Sequence, residues 1–254
     1  MTLVGELGAF ALGACLGSFA NVLIDRLPRG LSPIRPRSYC EACGIAIRTL
    51  HLIPVAGYFL ARGRCASCAQ PIPTRLPLVE AAGGILAAAS FAVFGFSWEF
   101  LSSTILLLAA LAAGVIDSRH QVIPNAITLP CLAAGLALSL LPGRPTPVEA
   151  VVGVAVAGGL LALIAMVYPK GMGGGDVKFM AMTGAFLGWA KALVALFTAS
   201  LAGAVVGLAL ITLGRRSRKE PISFGPFLAL GVATAVFAGP RITAFYVGWA
   251  WALP

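Results

Sequence analysis

Apolar residues in this chain run in long blocks rather than alternating with polar ones. The blocks at 4–24, 79–96, 99–116, 122–141, 148–168, 177–189, 192–213 and 222–240 carry almost no charge. Inside a bilayer the backbone has no water to bond, so each block predicts a helix that satisfies its own amides. The pattern predicts eight passes, the sixth short and bounded by Trp189 and Lys191. The aromatic tail ITAFYVGWAWALP predicts an interfacial segment or the end of the last pass. Only residues 25–78 form a polar stretch of any size. The expected architecture is an all-α polytopic membrane protein of about eight transmembrane helices: a first helix at 1–24, a small cytoplasmic domain at 25–78, and a helical membrane domain at 79–254.

Composition agrees, with 59% hydrophobic residues, 11% charged and a mean hydropathy of +0.95, far from a soluble domain. All but Arg144, Lys191 and Arg241 of the 18 Lys and Arg residues fall on one side when eight passes are laid on the sequence. They occupy 25–78, the loops near 117–121 and 169–178, and the run Arg215, Arg216, Arg218 and Lys219. The positive-inside rule then places the N-terminus outside and the large loop in the cytoplasm. No basic residue precedes Asp25, so the first block predicts a retained helix rather than a cleaved signal. The net charge of +9 is accounted for by loops facing anionic lipid, without a nucleic-acid partner.

The 25–78 segment holds Cys40-Glu-Ala-Cys43 and Cys65-Ala-Ser-Cys68. Two such knuckles can surround one tetrahedral Zn²⁺ with four thiolates. Disulfides are disfavoured on the reducing side of the membrane, and a domain this small needs a staple. Four protein ligands leave no open position, so the expected zinc is structural. Cys15 and Cys131, lone cysteines inside apolar blocks, are expected to be small buried side chains without a role.

Only nine acidic residues are present, and two stand at the borders of apolar blocks: Asp117 in AAGVIDSRHQVIPN and Asp176 in GMGGGDVKFMAM. A carboxylate at the edge of hydrocarbon is costly unless it has a function. Asp117 ends the third pass and Asp176 opens the sixth, so the intervening fourth and fifth return the chain to one face. Two carboxyls in a poorly solvated site share one proton and can act as general base and general acid together, the chemistry of an aspartic protease. Glycines 171, 173, 174 and 175 remove side chains where an extended substrate would approach Asp176. The rival reading is a cation- or proton-coupled transporter, whose carboxylates belong at the membrane midplane rather than at its edge.

These residues carry a resemblance. GMGGGDVK at 171–178 with Asp117 in IDSRHQVIPN resembles the membrane GxGD aspartyl proteases, specifically the type IV prepilin leader peptidases. GSFANVLIDRLPRG at 17–30 and IPVAGYFLARGRCASCAQPIPTRLPLVE at 53–80 are similar to that family's opening segment and cysteine-bearing loop. The resemblance implies a catalytic pair at Asp117 and Asp176, with Gly173 and Gly175 as the G-x-G before the second aspartate. It also implies cleavage of the basic leader from prepilins or pseudopilins at the cytoplasmic face, and methylation of the new N-terminus with S-adenosylmethionine in members that have the cysteine loop. The sequence departs from the family pattern at His51-Leu52 and Glu41-Ala42, the first of which bears on methylation. Glu80 matches a family position and Lys178 follows the second aspartate, which makes both substrate-side candidates. A basic leader approaching a basic face would need anionic lipid and cytoplasmic acids such as Asp25, Glu41 and Glu220 to offset repulsion.

Overall fold

A computed structural model describes residues 2–143, 145–168, 171–215 and 222–251. Arg144, Lys170, Arg216, Arg218, Lys219, Glu220 and the last residues of the tail, 252–254, lie outside them. Among the described residues there is no strand, only isolated bridges between Tyr39 and Ala46 and between Arg64 and Pro71. The chain divides into two compact units, Met1–Phe96 and Ser97–Pro254.

In the first unit, α1 (Thr2–Arg26) packs along α3 (Arg75–Phe94). Small residues let the two backbones approach: a side chain at Gly13 would strike the Gly83 carbonyl and Ala87, and one at Gly17 would strike the backbone of Val79 and Glu80. Such close contact is what drives helix association where lipid is as apolar as the side chains. At the polar ends of these helices Arg75 reaches Asp25 at 2.7 Å and Asn21 at 3.0 Å, and Asn21 donates to the Leu76 carbonyl at 2.9 Å. The intervening loop contains the short α2 (Ala56–Leu60) and the cysteine knuckles.

The second unit is built around α8 (Gly174–Thr212), which contacts α4 (Trp98–His120), α5 (Asn125–Leu138), α6 (Pro147–Gly153), α7 (Gly159–Val167), α9 (Gly225–Phe237) and α10 (Gly239–Trp251). A π-helical turn, Val154–Gly158, joins α6 to α7. Gly184 and Gly153 bring the α8 and α6 backbones together, while Gly135 lies under Phe186. The core is formed by Leu106, Leu107 and Ile116 of α4, Phe179, Met180 and Met182 of α8, and Leu228 and Val232 of α9, all nearly inaccessible. Large apolar side chains on the outside, among them Phe19, Leu163, Met166, Phe197 and Leu201, form a surface suited to hydrocarbon rather than water.

Among the described residues, five helices are long and apolar enough to cross a bilayer, or six if α9 and α10, bent by 73°, count as one span. The eight expected blocks all fall on helices. α5 has 14 residues, and the sixth and seventh blocks lie on the two arms of α8, on either side of Gly188. The expected boundary beside Trp189 survives as a break at Gly188, whose φ of 72° and ψ of 173° interrupt the helix. A side chain disfavours that backbone and glycine permits it. The result is an all-α polytopic membrane protein.

Candidate functional site

Asp117 lies in the last turn of α4. Gln121 then takes left-handed backbone, donates its N–H to the Asp117 carbonyl at 2.8 Å, and turns the chain into α5. Asp176 lies in the first turn of α8, its N–H bonded to the Gly173 carbonyl at 3.1 Å. The turn after Asp117 rests on the start of α8, since Ile123 fills the space a Gly175 side chain would need. Lys178 adds a second tie there, donating to Asn125 Oδ1 at 2.9 Å. The end of α4 that carries Asp117 and the start of α8 that carries Asp176 are thus drawn to the same end of the second unit. Asp117 is 7% exposed, and Asp176 is half-buried.

A third participant was not singled out from the sequence. The N–H of Gly225, the first residue of α9, donates to Asp117 Oδ2 at 2.8 Å. Its only signal was the Gly-Pro pair inside SFGPFLAL, a combination that suits a helix start but says nothing of a distant carboxylate.

The glycine run has a divided purpose. None of its members has left-handed backbone, so space rather than conformation explains them. Gly175 is demanded by Ile123, whereas a side chain at Gly174 would meet nothing and one at Gly173 would face Asp176 Oδ2 at 3.7 Å. The surface beside Asp176 is therefore bare at Gly173 and Gly174, and Gly175 serves packing.

Glu80 belongs to the first unit, where it accepts the Val55 N–H at 2.7 Å. Val55 has φ 62° and ψ −57°, and Ala56 N–H bonds to the Pro54 carbonyl across it at 2.6 Å. This is a γ-turn of the strained hand, rare for any residue and most of all for a β-branched one. Arg75, an alternative partner for Glu80, is instead engaged by Asp25. Glu41 likewise pairs with Arg29 at 2.6 Å, so Asp25 and Glu41, two of the acids expected to draw in a basic segment, already hold partners of their own.

The four cysteines Cys40, Cys43, Cys65 and Cys68 converge, with all four sulfurs within 4.8 Å of one another. The two knuckles repeat one backbone pattern. Cys40 N–H bonds to Ile45 O and Gly44 N–H to Cys40 O; Cys65 N–H bonds to Gln70 O and Ala69 N–H to Cys65 O. The Cys40 and Cys68 sulfurs are 3.8 Å apart. The edge of a tetrahedron with metal–sulfur bonds of about 2.3 Å is about 3.8 Å, so the donors fit a four-thiolate ion. The backbone N–H groups of Ser67 and Cys68 lower the Cys65 thiol to about 6, while burial and the neighbouring cysteine sulfurs push Cys68 up to about 11, as expected where four sulfurs crowd together.

Comparison with known proteins covers both units. Residues 11–94 match the bacterial peptidase A24 N-terminal domain, and residues 104–208 match the type IV leader peptidase family. Proteins named prepilin leader peptidase/N-methyltransferase are similar along most of their length. That of Burkholderia pseudomallei (strain 1026b) is 38% identical over 94% of this chain and 86% of its own. That of Myxococcus xanthus is 37% identical over 87% and 70%, and that of Aeromonas hydrophila 34% over 94% and 92%. No solved structure matches. With that identity sustained through both units, the chain belongs to the type IV leader peptidase family.

Proposed function

We propose that this protein removes the basic leader peptide from type IV prepilins or pseudopilins at the cytoplasmic face of a bacterial inner membrane, with Asp117 and Asp176 as its catalytic pair. The observation that supports this reading is the tie between the turn that follows Asp117 and the start of α8 that carries Asp176, through Ile123 against Gly175 and Lys178 to Asn125. One ionised carboxyl takes a proton from water while the water oxygen bonds to the scissile carbonyl carbon. The protonated partner gives its proton to the carbonyl oxygen. Collapse of the tetrahedral intermediate breaks the C–N bond, and the departing amine takes up a proton. Gly173 and Gly174 leave room for an extended backbone beside Asp176, with Gly175 seating the turn that carries Asp117. Lys178, tied to Asn125, and Glu80, in the cysteine-bearing unit, are the substrate-side residues of this reading.

The first helix, the loop 25–78 and the membrane domain 79–254 divide the work. In the loop, Cys40, Cys43, Cys65 and Cys68 hold a structural Zn²⁺, and the loop supports methylation of the newly exposed amine, for which S-adenosylmethionine would supply the methyl group. Anionic lipid is the surrounding partner that offsets the basic face, with the N-terminus of the chain outside. A transporter reading has no observation in its favour.

The test is cleavage of a purified prepilin in liposomes by the wild type, Asp117→Ala and Asp176→Ala, with product mass reporting leader loss and added methyl. Each variant is expected to lose about 10⁴-fold in kcat. Cleavage surviving in either folded variant refutes the dyad.

A further inference from the structure

We infer that Gly225 is a positioning residue for the dyad: the amide at the head of α9 holds Asp117 Oδ2 and fixes which oxygen of that carboxyl faces the reaction. The inference rests on the dyad reading and adds to it an element far away in sequence. A Cβ at position 225 would fall 2.7 Å from Asp117 Cβ, 2.8 Å from Oδ2 and 3.0 Å from Cγ, approaches that real side chains do not make. Gly225 does not have left-handed backbone, so the close approach of Asp117, and not the conformation, is what calls for glycine.

The surroundings fix this amide relative to both helices of the dyad. Against α4, Gly114 lies under Ala229 Cβ, the Gly225 carbonyl and Pro226 Cα, at 3.2–3.4 Å from where its own Cβ would stand. Against α8, a side chain at Gly231 would strike the Ala195 carbonyl. Pro226 has no N–H of its own and presets the helical φ, so a single amide is presented. Among the described residues, Asp117 Oδ1 accepts no hydrogen bond. It is left as the oxygen that meets water or the other carboxyl, while Oδ2 is held. A displaced Asp117 would still bind substrate nearby but would misalign the proton transfer, for which about 1 Å of error can cost 100-fold.

Two measurements test this. Gly225→Ala should lower kcat for prepilin cleavage about 100-fold with KM unchanged within about twofold, whereas Gly203→Ala, whose new methyl meets Phe227 and Phe224 only at ordinary contact distances of 3.5–3.7 Å, should cleave as wild type. Hydrogen–deuterium exchange on Asp117→Ala should show the Gly225 amide exchanging at least tenfold faster, with the later amides of α9 unchanged. The second arm needs no Gly225 variant to fold. Gly225→Ala with kcat within about threefold of wild type, or an unchanged Gly225 amide in Asp117→Ala, overturns the inference. Failure of the underlying reading looks different: Asp117→Ala would itself cleave. Asp117→Ala inactive beside a fully active Gly225→Ala would leave the dyad standing and remove only the role of Gly225.

Discussion

The cysteine cluster and the aspartate pair are assembled by opposite means. Each cysteine knuckle closes on itself, with Cys40 bonded to Ile45 and Cys65 to Gln70 through the backbone, so the sulfurs are aimed by turns a few residues long. The aspartates are aimed by nothing local. Asp117 is held by Gly225 of α9, and Asp176 is brought to it by Ile123 seating against Gly175. A site built from local turns can lose its ion and leave the helices in place. A site built from helix ends depends on how a whole bundle is packed.

The largest effect that would break this contrast lies in removing a ligand. Cys40→Ser, or chelation of the wild type, should abolish stoichiometric zinc and loosen residues 38–72 to hydrogen exchange. Structural zinc sites supply much of the folding free energy of the small domains that hold them. Methyl transfer to a pre-cleaved pilin peptide should fall by at least tenfold, because the loop that supports it is no longer held. Cleavage, which the proposed dyad assigns to the second unit, should fall by less than about threefold if the two sites act independently. A parallel collapse of both activities, read from one product-mass assay, would show that the aspartates need the cysteine loop.

Smaller, and confined to the first unit, is the link between Glu80 and Val55. A hydrogen bond to a charged acceptor is worth about 1.5–3 kcal/mol, and the γ-turn it holds stores about 1–3 kcal/mol of strain. Glu80→Ala should therefore lower stability by about 1–2 kcal/mol and speed exchange at residues 53–60, seen by thermal melting and by peptide-resolved exchange. Adding Val55→Gly should restore part of the loss, since glycine accepts the positive φ without strain. No recovery would mean that Glu80 does not act through this turn.

What could be read in advance follows the same division. The four cysteines were legible as one cluster because the information sits in two short knuckles. The aspartates were legible as misplaced charges at the rims of apolar blocks. Gly225 was not, because a glycine inside an apolar block looks the same whether it faces lipid, a helix or a carboxylate, and only the packed bundle chooses. The Gly173-Gly174-Gly175 run was readable as bare surface, but the use of Gly175 by Ile123 needs the fold of the turn after Asp117. The boundary at Trp189 was visible in the charge of Lys191, yet its form, a break in α8 at Gly188, depends on one residue's φ and ψ, which no hydropathy pattern encodes.

The finest test concerns the near-repeat within the cysteine cluster. Gly44 and Ala69 occupy the same place in their knuckles, four residues after the first cysteine, and both have left-handed backbone, with φ of 72° and 57°. Glycine adopts this freely, while an alanine there costs about 1 kcal/mol. A side chain at Gly44 would meet nothing within 4 Å, so the cost of adding one is conformational alone. Gly44→Ala should then weaken zinc binding about fivefold, and Ala69→Gly should tighten it by a similar factor, since 1.4 kcal/mol corresponds to tenfold. Exchanging both should return affinity to within about twofold of the wild type, measured by competition with a chromophoric chelator. If Ala69→Gly weakened binding instead, the Ala69 methyl would be contributing more by contact than its backbone costs, and the two knuckles would be alike in geometry but not in energy.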